Sequence, residues 1–600
     1  MALPSQASAP GIRLASRWQP LKGAAFGTTQ PAALARVTVL VPAGCSFGAL
    51  DQVMGSLIEE PFMAREPHAD ASLALLDRVL HWHTAVQRQM KVPVFGAYYV
   101  RRVTGEADEA SAFQVAVPCH TVEATADSFR WVRTNADDLL GKDEIAAGEL
   151  SRIRQAFGEL LEGLKKHALG GLNNFHLVNA AHLLGIPTRQ LLNDTYCFGQ
   201  GIRSHWFNST ITDRTPALGA NLSRSKARTA RILRLHGVPV PDHRRARTEE
   251  QAIEIARELG FPVVVKPDDQ EQGKGVEAGL GDEQAVLRAY RGAARHSKKI
   301  LVEKHHDGED YRLTVLGDRV VKILHRRAGG VTGDGRHTVS ELVAFEQETP
   351  RFRRVLQQSG KVLLALDEEA LGLLREHGLD AASIPREGQF VVLRRRNNIS
   401  AGGIQTLIPV DEAHPDNLRL AVRATRAMHL DLCGVDMLVP DIARSWFDTG
   451  CVIIELNAQP QIGINTAPEV YQTIVRDLVP GNGRIPVDLV LCATAADLPG
   501  ADEAARLVAD AGANGLSMAA GVWVDGTRVA ASCENGFAAA QVLLLAANVQ
   551  RALVVMTARD VVENGLPADR FEKVAMRDRV GGSQEKPSLA MALRMLESHT

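Results

Sequence analysis

The sequence predicts a multidomain protein of the α/β (α+β) class, on three observations. Its 600 residues exceed what one hydrophobic core organises, which implies about three or four domains. Short apolar runs bounded by Gly or Pro alternate with longer stretches of helical apolar spacing. Two of the short runs, C-G-V-D-M-L-V-P (433–440) and C-V-I-I-E-L-N-A-Q-P (451–460), read as buried strands interrupted by acids. In a strand, residues two apart share a face, so Glu455 and Asn457 project together from the end of the second run.

Composition narrows the function classes. Apolar residues make up 45% and charged residues 23%, as in ordinary soluble proteins. A net charge of −2 provides no bulk field toward nucleic acid or an anionic membrane, so neither is an expected partner. No apolar run reaches the roughly 18 residues of a membrane span. The start, M-A-L-P-S-Q-A-S-A-P-G-I-R, lacks the apolar core of a signal peptide. Seven scattered cysteines without a C-x-x-C pair fit reduced thiols. A cytoplasmic location is expected.

Along the chain, residues 1 to about 30 are rich in Pro, Ala, Gly and Ser and read as loose. Arg36–Val41 reads as a strand, and Ala71–Met90 and Glu144–Ala168 as helices. His81 and His83 sit two apart and face different sides of their helix, and His68 and His120 add no ligand spacing. Asn173–Pro187 reads as a helix leading toward a strand. His205–Pro216 is polar and turn-rich, and holds a ligand or merely connects elements. Ser225 and Gly237 are start and stop signs around a helix that opens with Lys226.

Glu249–Leu259 is an amphipathic helix ended by Gly260, and Phe261–Pro267 is a buried strand with Lys266 near its exit. A lysine is rarely buried without a partner, so Lys266 snorkels out or meets an anion. The loop D-D-Q-E-Q-G-K-G (268–275) places Gly273, Lys274 and Gly275 where backbone N–H groups can approach phosphate oxygens; a plain turn would read the same way. It is not a Walker A loop. Lys299–Glu303 is a further strand, followed by a short connector to Asp310 and Arg312. This hinge suits a nucleotide base and ribose, or is a hairpin with solvated charges. Phe390–Arg396 leads into N-N-I-S-A-G-G, placing Arg396, Asn398 and Ser400 around a turn, and Pro415–Met428 is a helix. Asp436, Glu455 and Asn457 form an oxygen donor set that suits Mg²⁺, although an acid at a strand end also caps turns.

Taken in order, these segments resemble an ATP-grasp carboxylate–amine ligase, and within that group the cyanophycin synthetases. The resemblance rests on D-R-T (213–215) with Ser225-Lys226, V-V-V-K-P (263–267), D-Y-R-L-T-V (310–315), G-D-G-R-H-T (333–338), N-I-S-A-G-G (398–403), G-V-D (434–436) and E-L-N-A-Q-P (455–460). It covers about 170–486 and returns in the tail as V-W-V-D-G-T-R-V (522–529). It implies an N-terminal domain at 1–160, an ATP-grasp domain of two sheets at 161–484, and a truncated Mur-ligase-like domain at 485–600. Where the long type of that family carries a P-loop, this chain reads C-A-T-A-A-D-L-P-G (492–500), so it resembles the short type, with one ATP site.

The resemblance implies ATP and Mg²⁺, with Lys226, Lys266, Gly273, Lys274 and Gly275 around phosphates and Glu303 and Asp310 on base and ribose. Asp436, Glu455 and Asn457 would hold the cation. Arg312, Arg396 and Asn398 would serve the transferring group, and Ser400, Gly402 and Gly403 a substrate carboxylate. The expected partners are a dipeptide or amino-acid substrate, a polymer primer and further copies of the chain. The expected reaction joins β-aspartyl-arginine or a related dipeptide; the alternatives are a single-step ligase and a non-catalytic paralogue. Two departures bear on this. Gln272 stands where the family has a candidate proton acceptor, and Ile211 where it has a glutamate. The histidine pattern leads to an expectation of no zinc and no hydrolytic side activity. Asp436→Ala is expected to abolish ADP release in a folded chain.

Overall fold

A computed structural model describes the chain except residues 1–9, 43, 63–69, 105–110, 172, 271–272, 351, 354–355, 357–361, 396, 398–401, 464–466 and 579–586. Its contacts divide it into two compact units, Met1–Ser209 with Tyr471–Thr600, and Thr210–Val470. No helix among the described residues is long and apolar enough to cross a membrane.

The first unit joins both ends of the sequence. An antiparallel sheet runs Gly11–Leu14, Ala32–Leu40, Ser111–Pro118, Tyr99–Thr104. One face, with Val37, Val39, Phe113 and Val115, packs against the helices Ala71–Gln89 and Val122–Leu139. The alternate residues Ala32, Leu34 and Ala116 enter a different core, shared with Leu489, Phe537 and Val554 of the tail. The tail is a six-stranded sheet in which Val487–Cys492 lies parallel between Ala552–Thr557 and Lys573–Arg577. Gly23 is tied to this part by its N–H bond to the Asn564 carbonyl, and a Cβ there would stand 2.2 Å from the Leu566 carbonyl oxygen. This shared core explains why both ends of the chain fall in one unit. The finer three-domain division, at 160 and 484, stays a proposal.

The second unit holds a two-stranded antiparallel pair, Gly330–Thr332 with Phe390–Val392, and two larger antiparallel sheets. The smaller of these two sheets runs β1 (His243–Ala246), β4 (Ile300–Lys304), β2 (Val263–Pro267), β3 (Glu277–Leu280) in that order. Val263, Val265, Ile300 and Val302 pack under helices Glu249–Leu259 and Glu283–Ala294, which turns Lys266 and Glu303 to the other face. The larger sheet runs β7 (Ile404–Ile408), β6 (Arg319–Arg327), β5 (Glu309–Leu316), β8 (Leu432–Val439), β9 (Val452–Asn457). Tyr311, Leu313, Val315, Val435, Met437 and Leu456 form its core face, with helix Pro415–Ala427 against it. The period of two sends Asp310, Arg312, Asp436, Glu455 and Asn457 to the opposite face.

Candidate active site

Register brings the predicted acids together. Asp436 on β8 lies directly opposite Glu455 on β9, and Asn457 lies opposite Gly434. The three oxygen donors therefore share one sheet face across two neighbouring strands. Glycine at 434 leaves room there, since a Cβ would stand 3.1 Å from Arg312 Nη1 and 3.2 Å from Pro460 Cβ. The donor set, two carboxylates and one amide on rigid strands, fits a hard cation such as Mg²⁺. Among the described residues no group of three His, Cys, Asp or Glu could hold a metal ion, and this set has only two such members.

The structure adds an arginine the sequence reading missed. Arg312 on β5 lies opposite Asp436 and donates from Nη2 to Oδ2 at 2.9 Å, while its Nε pairs with Oδ1. Arg326 on β6 reaches the same carboxylate at 3.1 Å and also holds Asp310 Oδ1 at 2.6 Å. Asn397 Nδ2 donates to the other Asp310 oxygen at 2.9 Å. Burial disfavours the charge of Arg326, but the Asp436 and Asp310 carboxylates outweigh it and hold the pKa above its ordinary value. Burial likewise works against the Asp436 carboxylate, and Arg312 and Arg326 overcome it and pull the pKa down. Two arginines and two aspartates thus balance charge on one sheet face. Arg326 sits in the run L-H-R-R, which reads in sequence as solvated charge; only the strand register shows that it points inward. Lys322, on the same strand and face, is buried against the Ile462 carbonyl, and burial, partly offset by Glu469, lowers its pKa to about 8. Arg326→Met should leave Asp310 and Asp436 short of a counter-ion. We expect a loss of about 3–5 kcal/mol on a denaturant curve, and a loss near zero would assign the arginine to solvent.

Lys226, capped by Ser225, opens the helix Lys226–Leu235; its Nζ donates to the Gln270 carbonyl at 2.8 Å and stands 3.5 Å from Glu455 Oε1. Buried Asp268 fixes this corner by accepting from Ser225 Oγ, the Ala227 N–H and Arg245. Lys266 meets an anion inside the protein, Glu303 at 2.7 Å, with both side chains buried. The two carboxylates expected on base and ribose are therefore engaged: Glu303 by Lys266, and Asp310 by Arg326 and Asn397. Gly273 and Gly275 each adopt φ 69°, the left-handed region that favours glycine, and Lys274 is exposed. Gly402 has φ 92°, and its carbonyl lies 2.9 Å from where a Cβ of Gly329 would be; Gly403 follows it. Arg396, Asn398, Ser400 and Gln272 lie outside the described residues, as does His68. Thr212, just before the D-R-T segment, and Thr215 within it both donate to Asp431 at 2.8 Å, and Ile211 packs at the edge of the large-sheet core. In the first unit, fully buried His83 is pushed down to about 3 by burial and is a neutral core residue.

A family model described as an ATP-grasp domain matches residues 220–309, and a RimK-like ATP-grasp domain matches 381–473. The chain is similar to the cyanophycin synthetase of Trichormus variabilis, at 33% identity over 54% of this chain and 37% of the relative. It is also similar to the glutathione biosynthesis bifunctional protein GshAB of Mannheimia succiniciproducens, at 32% identity over 44% of this chain and 35% of the relative. Among solved structures, the bifunctional glutathione synthetase of Pasteurella multocida aligns at 26% identity with a TM-score of 0.39, covering 59% of this chain and 52% of that one. The chain spans little more than a third of the length of the curated relatives it matches.

Proposed function

For a chain that carries an ATP-grasp core and is related to the cyanophycin synthetases, we propose an ATP-dependent carboxylate–amine ligase that forms amide bonds through an acyl phosphate. Within that class we assign it the polymerisation of β-aspartyl-arginine, or a related dipeptide, into a cyanophycin-like polymer. The observation that carries the reading is the single sheet face shared by Asp436, Glu455, Asn457, Arg312 and Arg326.

Asp436, Glu455 and Asn457 would hold Mg²⁺, which when bound neutralises charge on phosphate oxygens. Lys226 and Lys266 would bind and orient the nucleotide phosphates, each changing partner from a protein oxygen to a phosphate oxygen. Arg312 and Arg326, on the same sheet face, would serve the phosphoryl group in transfer, where two forks at fixed positions would stabilise the charge on its oxygens. A substrate carboxylate takes the γ-phosphoryl group and releases ADP. An amine then attacks the acyl phosphate, forming the amide and releasing phosphate. A cytoplasmic setting suits the seven free cysteines, and assembly with further copies of the chain belongs to the same reading.

A second reading, a single-step ligase making a small peptide, is favoured by Ile211, an apolar side chain in the place of a family glutamate. One assay separates the two: phosphate release with Mg²⁺ and ATP, in the presence of β-aspartyl-arginine, of free amino acids, or of neither, followed by mass spectrometry. The proposal expects release with the dipeptide and products spaced by whole dipeptide units. A single addition would select the second reading. No substrate-dependent release would overturn the ligase assignment.

A further inference from the structure

A second feature, wholly within the first unit and independent of the ligase reading, is a cavity of about 340 Å³ lined by both ends of the chain. Its lining includes Lys22, His120, His182 and Arg189 as cationic or imidazole groups, and Asp569 as the only carboxylate. That carboxylate is spent, because Arg484 takes both of its oxygens, at 2.8 and 2.6 Å.

Arg189 is the unusual member. It stands on the strand Thr188–Leu192, opposite Cys197, and Nη1 donates to the Gln541 carbonyl at 3.0 Å. No carboxylate pairs with it among the described residues, and burial lowers its pKa to about 10. A half-buried guanidinium with five N–H donors and one neutral acceptor keeps most of its hydrogen-bonding capacity unused. Burying a cation without a counter-charge is costly, and a fork of this shape matches the two oxygens of a carboxylate or phosphate. Gln200 adds a side-chain amide to the same lining, whereas the amides of Gln30 and Gln190 already donate to the Pro93 and Asn193 carbonyls. A cationic or apolar occupant would leave the charge unpaired.

We propose that this cavity binds a small oxyanion, a carboxylate or a phosphate, with the Arg189 guanidinium as its anchor and Lys22 at the rim. The volume fits a ligand of amino-acid size or smaller.

Calorimetric titration of the full chain with inorganic phosphate, and separately with L-aspartate, distinguishes the two sources of that chemistry. Each titration is repeated in saturating Mg²⁺ and ATP to exclude the nucleotide site. We expect one of the two anions to bind with ATP present, at least tenfold more weakly in Arg189→Met and several-fold more weakly in Lys22→Glu. Lys22 is exposed, so its substitution serves as the test if Arg189→Met does not fold. Binding by neither anion, binding abolished by ATP, or equal affinity in the folded variants would each overturn the proposal.

Discussion

Asp436→Ala is expected to abolish ATP-dependent phosphate release and also to cost stability, by about 3–5 kcal/mol. Loss of release follows from removing the one donor that faces Glu455 across the strand pair. The sequence reading expects a folded variant and gives no measure of its stability. The structure supplies the reason for a cost: the Asp436 side chain is 5% exposed and neutralises Arg312 and Arg326 together. Removing it leaves two guanidiniums crowded on one face. The depressed pKa fixes the sign of the pH dependence. A carboxylate whose folded pKa lies below its unfolded value of about 4 contributes fully above that value. The contribution is lost as pH falls below about 4 and through the folded pKa. Chemical denaturation at pH 7 and at pH 3 should therefore show the gap between the parent chain and Asp436→Ala shrinking in acid. A gap independent of pH would mean that lost packing, not lost charge, dominates.

Lys266→Ala should raise the KM for ATP by more than tenfold and destabilise the fold by about 3–5 kcal/mol, because Glu303 is left buried without its partner. The double variant Lys266→Met with Glu303→Gln separates the two roles. Exchanging both charges for groups of similar size should recover most of the stability. It should not recover the affinity for ATP if Lys266 binds phosphate. Recovery of both would reduce the lysine to an internal ion pair.

Much of the second unit was legible because a short apolar run bounded by turn residues is a local signal. Residues 433–440 and 451–460 are apolar runs interrupted by acids, and the structure finds strands at Leu432–Val439 and Val452–Asn457. Caps were equally local: Ser225 accepts from the Arg228 N–H and opens its helix. Pairing partners were not legible, because they depend on register between strands far apart in sequence. Lys266 could be read as seeking an anion, but not that Glu303, 37 positions on, supplies it. Arg326 was lost inside a run of charges for the same reason. The core shared by Leu34, Leu489 and Val554 joins segments 455 and 520 positions apart, which no window of sequence reports.

The central claim is that the oxygen donors on β8 and β9 hold a cation that carries ATP. Calorimetric titration of ATP into the parent chain with Mg²⁺ and with EDTA, repeated on a Glu455→Gln and Asn457→Ala double variant, tests it most directly. The account predicts Mg²⁺-dependent binding in the parent chain, weakened at least tenfold in the variant. Equal ATP affinity in all four titrations would contradict it.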